Sequence, residues 1–134
     1  VQQALDFGAD GVVVPMIRDA AHAAEAAAFA KYPPLGSRGA GYSRAMRYGF
    51  AAGDHYEEAN RATACHLMIE TPGALRDVAA ICALPTVDGV FIGPADLSLT
   101  RGRGPFRFGP GDEEDFRAVA AAARAAGKVL GLPA

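Results

Sequence analysis

Lysine is nearly missing from this 134-residue chain. Lys31 and Lys128 are the only two among 13 basic and 15 acidic residues. Lys31 ends a helical pattern and Lys128 opens a strand-like run. Neither stands at a strand's carboxyl end, so no amine is placed there for Schiff-base chemistry. Cysteine is scarce too: Cys65 and Cys82 lack CxxC spacing and read as reduced core thiols of a cytosolic protein. No apolar run is long enough for a membrane span or signal peptide. A net charge of −2 shows no basic excess for nucleic acid. A GxSxG elbow and a Cys/His nucleophile arrangement are both missing. No Gly-rich phosphate fingerprint follows the first strand, where the sequence reads PMIRDA, and this disfavours a dinucleotide domain.

What is present is a repeat of buried strands and amphipathic helices. Strand-like runs fall at Gly11–Met16, His66–Glu70 and Gly89–Gly93, and another begins near Lys128–Leu132. Each is almost continuously apolar, as for strands covered on both faces. Between them, Asp19 caps an Ala-rich helix to Lys31, and Thr71-Pro72 opens a helix whose Leu75, Val78, Ala79 and Cys82 share a face. A last helix over Glu113–Ala126 carries acids at its start and Arg124 and Gly127 at its end. This order predicts an α/β fold with a parallel sheet: about three βα units plus the start of a further strand, a partial (β/α)8 TIM barrel. The chain is read as one domain, 1–134, and both ends are expected to be cuts in a longer barrel.

In such folds chemistry gathers at the carboxyl ends of strands. Glu70 closes one strand and Asp96 follows the next, one βα unit later. Neighbouring strand axes lie ~4.8 Å apart, so two carboxylates there suit one hard divalent cation. Each also has an ordinary reading: Asp96 as the cap of a short helix from Leu97, Glu70 as the partner of an arginine. His66 sits ~13 Å back along its strand from Glu70, and His22 and His55 fall on a helix and in a charged stretch, so the histidines are expected to be structural or solvated. From Ala26 to Gly53 there is no acid, while Lys31, Arg38, Arg44 and Arg47 all occur. The connection Tyr32–Gly49 is therefore either a shaped loop for an anion or subunit contact, or a solvated surface loop.

The segments GADGVVVPM, YPPLGSRGAG, MIET and DGVFIGPADLS, in this order, resemble the HpcH/HpaI aldolase/citrate lyase family. The likeness is closest to its branch of 2-keto-3-deoxy-sugar-acid and 4-hydroxy-2-oxoheptanedioate aldolases. The resemblance implies a (β/α)8 barrel and a class II aldolase, using Mg2+ or Mn2+ to cleave 4-hydroxy-2-oxo acids into pyruvate and an aldehyde. It implies Glu70 and Asp96 as metal ligands and the amides of Ala95 and Asp96 as the cradle of the pyruvate carboxylate. Asp6, in ALDFGAD, would support the catalytic histidine; by itself it is equally a helix-end residue. Ser43 is a candidate for a substrate-contacting serine after GAG. Many members carry Gln two residues before the Glu, where this chain has Met68, a departure that puts the usual substrate in question. The base His and an enolate-stabilising Arg belong to earlier strands, so the chain as it stands is expected to lack them and the activity. The expected partners are small molecules and further copies of the chain. The alternatives are a citrate-lyase-β or malyl-CoA-lyase-like enzyme, whose loop arginines would meet CoA phosphates, and a non-catalytic half-barrel.

Overall fold

A computed structural model describes residues 1–49 and 54–133. Residues 50–53, the end of the acid-free stretch, lie outside the described residues. Four parallel strands form one sheet in the order β1 (Gly11–Val14), β2 (Ala64–Ile69), β3 (Gly89–Ile92) and β4 (Val129–Gly131). All four fall where the apolar runs predicted them. β2 starts two residues early, so His66 is its third residue and not its first.

The helices lie between the strands: α1 (Gln2–Asp6), α2 (Ala20–Ala28), α3 (His55–Ala62), α4 (Pro72–Arg76), α5 (Val78–Cys82), α6 (Pro94–Thr100) and α7 (Pro110–Ala125). Asp19 caps α2 as expected, its Oδ1 accepting from the His22 amide at 2.8 Å. Thr71 caps α4, with Pro72 at the first helical position. The predicted single helix after Thr71 is two short ones, broken at Asp77. α7 starts three residues early, at Pro110, and the Gly109 amide donates to Asp112 Oδ2 at 3.0 Å.

Alternation assigns the two faces of the sheet. Cys65, Leu67, Ile69, Val90 and Ile92 are fully buried, packed in one core with Ala23 and Ala27 of α2, Val78 and Ile81 of α5, and Val119 and Ala123 of α7. The parallel register puts Val13, His66, Met68, Phe91 and Val129 on the opposite face. That face is open: Val13 is 52% and Val129 58% exposed. An arc of a barrel has this form, with helices outside and a concave inner wall of strand side chains. No helix among the described residues is long and apolar enough to cross a membrane.

Candidate active site

Glu70 is the residue immediately after β2, and its side chain continues the inner face of His66 and Met68. It is nonetheless only 1% exposed. Its Oε1 accepts the backbone N–H of Met16 at 2.5 Å, from the loop leaving β1. Its backbone carbonyl accepts from Thr100 Oγ1 at 2.9 Å, from the end of α6. Its Oε2 lies against Gly93, where an added Cβ would come within 2.3 Å of that oxygen and 3.1 Å of Met68 Cε. Only a residue without a side chain fits between β3 and α6 beside this carboxylate. Among the described residues no arginine or lysine pairs with Glu70. The ordinary reading of Glu70 as an arginine partner is thereby set aside.

Asp96 is likewise no cap. α6 begins at Pro94 with Gly93 before it, and Asp96 is its third residue, exposed and without a capping bond. The first helical bond of α6 runs from the Leu97 amide to Gly93 O at 2.9 Å. The amides of Ala95 and Asp96 therefore have no acceptor inside their helix. Gly93 thus lies between the Glu70 side chain and Met68 Cε on one side and the first turn of α6 on the other. This is the carboxyl end of the parallel sheet.

Buried carboxylates are costly without a compensating charge or full hydrogen bonding. Among the described residues Glu70 has a single amide donor, and its other carboxylate oxygen lies against Gly93. Such a site fits a small divalent cation completed by water or substrate oxygens. Among the described residues there is no group of three or more His, Cys, Asp or Glu that could hold a metal ion. No histidine among the described residues bonds to either. His22 accepts from the Arg18 amide, and His55 packs against the rings of Tyr32 and Tyr56.

Asp6 and Ser43 are not brought to Glu70. They line a separate open cavity with Gln2, Phe7, Tyr42 and Arg44. Asp6 Oδ1 accepts from Arg38 at 2.8 Å, and Ser43 Oγ accepts from the Met46 amide at 3.3 Å. Arg38 is itself buried and lies over the Tyr32 ring, 4.6 Å from its centre. This first loop arginine holds the Tyr32–Gly49 connection to α1 and has no free face for an anion, whereas Arg44 and Arg47 are exposed.

Two clusters lay beyond the sequence reading. Arg101 pairs with Asp115 at 2.7 Å, and Arg103 with Asp112 and Asp115 at 2.9 Å each, fastening the loop after α6 to the first turns of α7. At the other end of the sheet, Lys31 is 1% exposed and donates to Asn60 O at 3.0 Å and Thr63 O at 2.5 Å while pairing with Asp88 at 2.9 Å. Asp88 also accepts the Cys65 amide at 2.8 Å. Burial, helped by the Asp88 charge, pushes the Cys65 thiol up to about 11. A buried lysine one residue before an aromatic gives no local signal of the distant carbonyls it will meet.

The model of the HpcH/HpaI aldolase/citrate lyase family matches residues 1–132. The chain is 40% identical to a 2-keto-3-deoxy-L-rhamnonate aldolase of Klebsiella pneumoniae, over 100% of this chain and 52% of that protein. It is 39% identical to a 2-dehydro-3,6-dideoxy-6-sulfogluconate aldolase of Pseudomonas putida, over 99% of this chain and 51% of that one. The solved structure of a family member from Burkholderia cenocepacia superposes with a TM-score of 0.87 at 34% identity, covering 98% of this chain and 52% of the other. The chain spans about half the length of the relatives it matches, and its sheet corresponds to about half of their barrel. By motif order, fold and match along nearly its whole length, the chain belongs to the HpcH/HpaI aldolase/citrate lyase family.

Proposed function

We propose that the protein is a divalent-metal-dependent, class II aldolase that cleaves 4-hydroxy-2-oxo acids into pyruvate and an aldehyde. The observation that carries this reading is Glu70: a buried carboxylate that, among the described residues, has one amide donor and no cationic partner, and that lies against Gly93 at the start of α6. Glu70 and Asp96 are the ligands of the cation, Mg2+ or Mn2+. The amides of Ala95 and Asp96, at the positive end of α6, receive the carboxylate of the 2-oxo acid. Met68 lies on the same wall as Glu70 and gives the substrate an apolar contact. A bound cation supplies Lewis-acid stabilisation of the negative charge that develops at the keto oxygen as the carbon–carbon bond breaks.

The chain's own residues set the geometry of that step. Gly93 keeps the Glu70 carboxylate and the α6 amides side by side, and the Met16 amide fixes one oxygen of that carboxylate. Proton transfer at the methyl carbon of pyruvate requires a base besides these groups, and Asp6 is kept as a supporter of such a histidine in the assembled protein. Neither lysine stands at this end of the sheet, which agrees with a route that forms no imine.

The test is the exchange of pyruvate methyl protons with solvent deuterium by the full-length protein. Exchange that needs Mg2+ or Mn2+, stops with chelator and is lost in Glu70→Gln and Asp96→Asn supports the reading. Exchange indifferent to chelator, or surviving both substitutions, overturns it.

A further inference from the structure

Met16 stands out by its backbone. Its φ is 54, in the left-handed region that side chains other than glycine rarely adopt. Its side chain is 50% exposed, so packing does not demand a methionine there. The conformation is disfavoured for a residue with a side chain and persists only when its surroundings over-determine it. Here they do so from both sides. The Met16 N–H donates to Glu70 Oε1 at 2.5 Å, and one residue on, Ile17 O accepts from Thr71 Oγ1 at 2.6 Å. The loop leaving β1 is thus fastened to consecutive residues leaving β2 by two bonds of opposite direction. Gly73 adds to the fit, since a Cβ there would lie 2.0 Å from Arg18 O.

We infer that Met16 is a positioning residue: its left-handed backbone aims one amide at Glu70 Oε1 and so presents Oε2 toward the Gly93 turn and the cation. This deepens the proposed function and rests on the reading of Glu70 as a ligand. The N–H matters and the thioether does not. Tolerance at position 16 should therefore follow the ease of reaching positive φ and not side-chain size. Glycine enters that region freely and asparagine readily, whereas β-branched residues are true outliers there.

The experiment measures Mn2+ binding to the full-length protein without substrate, by the loss of the free-ion paramagnetic resonance signal. Met16→Gly and Met16→Asn should bind within about twofold of the parent, and Met16→Val and Met16→Ile about tenfold more weakly. Equal binding by all four, or equal weakening by all four, overturns the inference. A second readout covers variants that fail to fold: the amide resonance of residue 16 in isotope-labelled protein. It should move in Glu70→Gln and stay near its parental position in Asp96→Asn. An amide unmoved by Glu70→Gln also overturns the inference. If the parent and Glu70→Gln bind Mn2+ alike, the ligand reading itself fails, while the amide shift still reports whether Met16 holds Glu70.

Discussion

The two ends of the sheet are built to opposite rules. At the amino end, Lys31 and Lys128 donate to four backbone carbonyls, those of Asn60, Thr63, Leu84 and Val87, and Asp88 bonds both Lys31 and the Cys65 amide. At the carboxyl end, among the described residues, a buried carboxylate has one donor, an exposed carboxylate has none, and the amides of Ala95 and Asp96 have no acceptor within α6. The amino end turns its lysines and Asp88 to internal partners and contributes stability. The carboxyl end leaves the Glu70 carboxylate with one donor among the described residues. This division is the one that (β/α)8 architecture makes between its two faces, and it is already visible in half the arc.

The comparison breaks most readily at Lys31. Lys31→Met leaves two buried carbonyls and Asp88 without their partner and should cost about 3 kcal/mol, read from denaturant unfolding. A loss below about 1 kcal/mol would mean that the amino end is no more consolidated than the other. A pH titration of stability comes next. The Cys65 thiol is raised by burial from 9.0 to about 11, so the folded protein keeps it neutral where the unfolded chain ionises it. Its contribution is complete below pH 9 and is lost as pH rises toward 11, by roughly 2 to 3 kcal/mol, and Cys65→Ala should flatten that slope.

Gly93→Ala tests the site from within. Its Cβ would meet Glu70 Oε2 at 2.3 Å and Glu70 Cβ at 2.8 Å, so the carboxylate must move. We expect a loss of about 1–2 kcal/mol in stability, with Mn2+ binding weakened further than in Met16→Val. The smallest effect sharpens the contrast most: Asp96→Asn should leave stability within about 0.5 kcal/mol of the parent, because the side chain is exposed and unbonded. A large destabilisation there would return Asp96 to an ordinary structural role.

Much of this was legible in the residues. Strands covered on both faces write themselves as apolar runs, and Thr71-Pro72 and Asp19 announce their helices through backbone chemistry. Glu70 and Asp96 were singled out by position, and each does lie just past a buried strand. α3 was missed because HYEEANRA buries none of its residues and so carries no core pattern. The starts of α6 and α7 were missed although each has a proline at its first turn, the signal that located α4. The bonds that organise the site could not be read at all. Met16 and Glu70 lie 54 residues apart; away from the site, Asp6 and Arg38 lie 32 apart. No local pattern encodes a contact of that range. The left-handed turn at Met16 is equally silent, because methionine, unlike glycine or asparagine, does not signal a positive φ.

The two lysines have a practical consequence. Both ammonium groups turn to backbone carbonyls, and Lys31, which is also buried, offers amine-directed reagents little while the sheet is closed. Acylation of Lys31 would then count molecules whose amino end has come apart. A single modified residue, read by mass, becomes a clock for opening at the end of the sheet farthest from Glu70.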